Sequence, residues 1–101
     1  MTSPRRVVIT GMGTVNAATA GGTPALAGAL EGAQSPIRSV RAFDVSGLPS
    51  RLAAEVDEAV LAGLVERDAA RRLSRICRLT LAACRLAVGD ARIGSWTSSV
   101  R

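Results

Sequence analysis

Arg5-Arg6-Val7-Val8-Ile9-Thr10-Gly11-Met12-Gly13-Thr14-Val15 is the stretch whose reading decides the fold. Val7, Val8 and Ile9 form a β-branched run, and Gly11 and Gly13 close it. A continuous apolar run ended by glycine reads as a strand buried on both faces, inside a parallel or mixed sheet. The glycine pair also invites a dinucleotide-binding reading. That fingerprint needs a third glycine where Asn16 stands, and a helix that begins at once. The next helix signal is Thr23-Pro24, an N-cap followed by a proline at the first helical position. It comes too late to aim a helix end at a pyrophosphate. The glycines are therefore read as a tight strand exit.

Working outward, residues 16–22 are small and glycine-rich and read as a loop. A helix is predicted from Pro24 to Glu31, with Gly32 as its stop. From Ser35 to Val56 the pattern changes, punctuated by Pro36, Gly47 and Pro49. Ile37, Val40, Phe43 and Val45 are spaced as extended chain with turns, and Leu52 to Val56 reads as a second short strand. Asp57 to Arg67 reads as a short helical turn or loop.

The longest helix is predicted from Asp68 to about Val88, with Gly89 as its stop. At about 100° per residue, Leu73, Ile76, Cys77, Thr80, Cys84, Ala87 and Val88 fall on one apolar arc. Arg71, Arg75, Arg78, Arg85 and Arg92 fall opposite it and read as a solvated face. Residues 95–101 show no period and read as a disordered or aberrant tail. The expected fold class is α/β: strand, helix, β-excursion, long helix.

The chain has 101 residues, enough for one small domain. Its apolar content leans on Ala, and its aromatic residues are only Phe43 and Trp96. That suits a piece that packs against other protein, because large side chains normally supply much of a core. All 13 basic residues are Arg, and the net charge is +5. A codon bias in a GC-rich gene accounts for Arg without Lys as background. Nucleic-acid binding would call for stacking aromatics or a reader fold, and neither is present. Val7 to Leu30 carries no charge, but Gly11, Gly13, Asn16, Gly21, Gly22 and Pro24 interrupt it. Neither a signal peptide nor a membrane span fits. Cys77 and Cys84 form no CxxC pair, and one helical face would hold their Cα atoms about 10 Å apart, too far to bridge. They read as small buried apolar residues of a reduced, cytoplasmic protein.

Two motifs together carry a family resemblance. Arg5 to Val15 is followed, at a characteristic distance, by Phe43-Asp44-Val45-Ser46-Gly47-Leu48-Pro49-Ser50-Arg51-Leu52-Ala53-Ala54-Glu55-Val56. The chain resembles the amino-terminal end of a β-ketoacyl-acyl-carrier-protein synthase, a condensing enzyme of fatty-acid and polyketide synthesis. The resemblance covers Arg5 to about Ile93 and fades near Gly94. It implies a partial thiolase-like fold in residues 1–94, and a piece of a longer, truncated or frameshifted protein. In the full-length family an activated Cys accepts the acyl group, and two His support decarboxylative Claisen condensation. Those residues would lie beyond Arg101, and this chain has no His. No catalytic residue, metal ligand or bound cofactor is assigned here, and the chain alone is expected to be inactive. Substrate would arrive on the phosphopantetheine arm of an acyl carrier protein.

The resemblance also implies partners. Basic positions at the start of the long helix dock the acidic carrier protein in the family. Arg71 and Arg72 match two of them, and Arg67 lies just upstream. Asp68 stands where a third base often occurs. The family forms homo- or heterodimers of ketosynthases. Several departures set this chain apart. Asn16-Ala17-Ala18-Thr19 replaces the usual Ser-Pro-Leu-Gly, the first helix lacks its aromatic residue, and Ser74 stands where Asp is common. They leave room for the chain-length-factor branch, whose members pair with a ketosynthase and lack its nucleophile.

Overall fold

Asn16 turns the chain back on itself. Its side-chain oxygen accepts hydrogen bonds from the backbone N–H of Ala18 and Thr19, at 2.8 and 3.0 Å. Its own N–H donates to the Thr19 carbonyl at 2.9 Å. Such Asx turns are why Asn is favoured in tight loops. The result is an antiparallel hairpin of β1 (Thr14–Val15) and β2 (Ala20–Gly21), with Thr14 opposite Gly21 and Val15 opposite Ala20. The expected loop over 16–22 thus contains a strand.

The computed structural model describes residues 2–93. The predicted tail over 95–101 lies outside them. After the hairpin come α1 (Thr23–Gly32), then β3 (Arg38–Ser39) paired antiparallel with β4 (Leu52–Ala53). Three helices follow: α2 (Glu58–Leu64), α3 (Arg67–Arg72) and α4 (Arg75–Asp90). The whole is a small mixed α/β arrangement. The predicted β-excursion is present as the β3–β4 pair, shorter than the expected 52–56 strand.

Helix α1 lies close to its predicted span. Pro24 sits in its first turn, as expected, but the N-cap is Gly22, with no side-chain capping bond. Gly32 is the last helical residue, and Ala33 takes the left-handed conformation at φ 49°. Asp57 caps α2 by accepting from the Ala59 N–H at 2.9 Å.

The long helix expected from Asp68 to Val88 is two helices. Leu73 is extended, and Ser74 starts α4 by accepting from the Cys77 N–H at 3.4 Å. A serine at such a position competes for the backbone and favours a cap over a helix interior. Gly89 is not the stop. Helix α4 runs through Asp90, and Arg92 turns the chain at φ 54°.

The buried core among the described residues is Leu61, Val65 and Ala82. Val15, Leu64, Ala69, Ala70, Leu79 and Leu81 pack around it. Helix α4 rests on β1, β2 and α2.

Two expectations about this packing are overturned. Val7, Val8 and Ile9 form no strand and are 90%, 71% and 83% exposed. Nothing in the described residues offers them a ladder. The predicted apolar arc of α4 is covered only in part: Ala87 and Val88 are half-buried, and Gly11 and Gly13 lie against Ala87. Ile76, Cys77, Thr80 and Cys84 are exposed, so neither cysteine is buried.

On the other side of α4, Arg78 is half-buried and Arg75 and Arg85 are exposed, and all three find acceptors on or beside α2. Glu58 pairs with Arg75 and with Arg78, the latter at 3.3 Å. The Val56 carbonyl accepts from Arg75 at 3.1 Å and the Leu64 carbonyl from Arg85 at 3.2 Å. Arg75, Arg78 and Arg85 are thus part of the α2–α4 interface rather than a free solvated face.

Candidate functional site

Helix α3 holds the three candidate docking residues. Its inner side carries Ala69 and Ala70, which pack on the core. This small apolar pair sets the rotation of the helix, so Arg67, Asp68, Arg71 and Arg72 are all exposed. Arg71 and Arg72 occupy its last turn, where the helix dipole favours positive charge. None of Arg67, Arg71 and Arg72 joins an ion pair among the described residues. The arginines of α4 at 75, 78 and 85 are paired with Glu58 or Glu66. The structure thus separates paired structural arginines from three unpaired ones that share a short helix. Chemically, that cluster can steer and hold an anionic partner. Asp68 in its first turn reduces its charge.

An open groove of about 680 Å³ runs along the start of α4, lined in part by Arg41, Glu55, Glu58, Arg75 and Leu79. Its two glutamates are already engaged. Glu55 accepts from the backbone N–H groups of Arg41 and Ala42 at 3.0 and 3.1 Å. Those two bonds, Arg41 first, hold its carboxyl below the usual carboxylate range. Glu58 is held by Arg75 and Arg78. The groove is thus braced by its carboxylates.

Cys77 and Cys84 stand on the outer face of α4. A thiol nucleophile needs a partner that takes its proton, and the chain has no His for that task. Among the described residues no group of three His, Cys, Asp or Glu side chains could hold a metal ion. No described helix is long and apolar enough to cross a membrane.

Sequence reasoning missed the residues that fix the amino-terminal glycines. Gly11 lies so close to α4 that a Cβ would collide with the Ala87 carbonyl and the Ala91 N–H group. A Cβ on Gly13 would strike Ala83 and Ala87, and one on Gly22 the Asp90 carboxylate. Neither Gly11 nor Gly13 has a positive φ. The glycines admit a helix, not a phosphate. Asp90 completes the contact by accepting from Met12 N–H and from the Thr23 hydroxyl, at 2.9 and 3.2 Å. The only signal in the sequence was a lone acid at the end of a helix whose other charges are all Arg.

No family model matches the chain, and no solved structure matches it. Among curated proteins, it is 36% identical over 96 residues to the "Putative polyketide beta-ketoacyl synthase 1" of Streptomyces cyaneus. The match takes in 94% of this chain and 22% of that relative, and it points to a segment of that family.

Proposed function

We propose that this chain is the amino-terminal segment of a polyketide β-ketoacyl synthase with a thiolase-like fold. The observation that carries the reading is the 36% identity along nearly the whole chain. The relative's name is that of a synthase, which favours this branch over a chain-length factor. In the full-length protein the condensation would be the work of residues outside this chain. This segment's part is to build the scaffold and to present Arg67, Arg71 and Arg72 to an acidic acyl carrier protein. The exposure of those three residues, and their freedom from ion pairs among the described residues, support that role.

A chimera tests the reading. Residues 2–93 replace the matched segment of the Streptomyces cyaneus relative, and the product is assayed with acyl- and malonyl-carrier protein. The chimera forms β-ketoacyl thioester, and the 101-residue chain alone forms none. A folded chimera without turnover contradicts the proposal.

A further inference from the structure

Helix α3 is jointed at both ends. Val65 and Glu66 before it are extended, at ψ 127° and 142°, and so are Leu73 and Ser74 after it, at ψ 139° and 163°. The joints themselves are pinned. Val65 is 3% exposed, Glu66 pairs with Arg85 at 3.8 Å, and Ser74 caps α4. The six residues between them are not pinned. Among the described residues, none of 67–72 joins an ion pair, and the bonds that cross to α2 and its flanks come from Arg75, Arg78 and Arg85 of α4. Of the six, the small side chains of Ala69 and Ala70 rest on the core. No other helix or strand shares a broad face with α3 among the described residues. A helix of this length has little stability of its own. Arg67 and Arg71, four residues apart, also repel each other along one face.

We infer that α3 is a hinged strap that opens locally on the body of this segment, and that an acidic partner closes it. The inference rests on the proposed function and adds how the docking helix responds to its partner. The helical form gathers Arg67, Arg71 and Arg72 within about 8 Å of axis. The extended form spreads the same residues over about 17 Å and sends Arg71 and Arg72 to opposite sides. A surface that carries several carboxylates therefore holds the closed helix more tightly than the open chain. It also relieves the repulsion between Arg67 and Arg71. That difference in affinity is what lets a partner shift the equilibrium. The extended joints absorb the motion, so α4 and the core stay in place.

Hydrogen exchange and a binding titration on the chimera test this. In the chimera alone, the amides of Ala70 to Leu73 exchange at least about tenfold faster than those of Leu79 to Leu86, because α3 opens without α4. Saturating acyl carrier protein slows the α3 amides about tenfold or more. Ala69→Gly separates closure from mere cover, since it alters no charge. It weakens carrier binding by about twofold to fivefold, because glycine disfavours the helix and the closed fraction falls with it. Residues 70–73 as protected as α4 in the chimera alone overturn the inference. Carrier binding that leaves their exchange unchanged, or an Ala69→Gly affinity equal to that of the parent, overturns it too. In each of these cases turnover by the same chimera leaves the family reading intact. A chimera that does not fold, or folds without turnover, overturns that reading and this inference with it.

Discussion

The carboxylate of Asp90 accepts a hydrogen bond from the backbone N–H of Met12 at 2.9 Å, tying the glycine segment to the last residue of α4. That bond is the main cause holding the Asp90 carboxyl below its ordinary range, with burial opposing it and the Thr23 hydroxyl assisting. A carboxyl lowered in the folded state stabilises the fold above its unfolded pKa, and the contribution is lost as pH falls through the folded value. The Asp90 side chain should titrate below a model Asp in an NMR experiment. Asp90→Asn should speed exchange of the Met12 amide at neutral pH and leave the amides of α1 beyond its first turn unchanged. A midpoint at or above the model peptide would contradict the assignment.

Gly13 and Gly28 should respond to alanine in opposite directions. A Cβ at Gly13 meets the backbone of α4, whereas one at Gly28 in α1 meets nothing within 4 Å. Gly13→Ala should destabilise by about 1–3 kcal/mol through overpacking. Gly28→Ala should stabilise by roughly 0.5–1 kcal/mol, because Ala loses less backbone entropy in a helix. Helical ellipticity at low temperature reads both, and a Gly13→Ala chain as helical as wild type would show that the contact is slack.

Leu61 should outweigh the ion pairs beside it. It is 0% exposed at the centre of the core, and Leu61→Ala should cost about 2–5 kcal/mol. Glu58→Gln removes the one carboxylate that Arg75 and Arg78 share, yet it should cost less than about 1 kcal/mol, since these pairs are partly exposed and screened by salt. Circular dichroism should show helix loss in Leu61→Ala and little change in Glu58→Gln.

Much of the local structure was legible, and the failures have one physical origin. Thr23-Pro24 marked α1, and Pro36, Gly47 and Pro49 marked the β3–β4 region, because turn and cap chemistry act within a few residues. Val7 to Ile9 was read as a buried strand, and its character as a strand depends on neighbours that the described residues do not contain. The periodicity of α4 identified an apolar face correctly as apolar. It could not say that Glu58 and Glu66 would pair with the arginines on the other side of the helix. Ser74 was visible as a cap residue but was absorbed into a longer period. At the candidate site, positive charge at 67, 71 and 72 was legible, while its separation from the paired arginines of α4 needed coordinates.

Arg71 and Arg72 should matter for association and not for folding. Both are exposed at the end of α3. Arg71→Glu with Arg72→Glu in the chimera should slow acyl-carrier-protein association by several fold to about tenfold at low salt. Screening over about 8–10 Å should shrink that difference at physiological salt. Stability should change by less than about 1 kcal/mol. Stopped-flow on-rates that are equal for both proteins at low salt would leave these arginines as a solvated face.

The incomplete core is the most direct handle on the whole account. With only Leu61, Val65 and Ala82 buried among the described residues, the isolated chain has little to oppose the entropy of unfolding. A urea titration of residues 1–101, followed by circular dichroism, should show a shallow, uncooperative loss of helix. A sharp transition from a monomer with well-dispersed amide NMR signals would contradict the view that this chain is one segment of a larger fold.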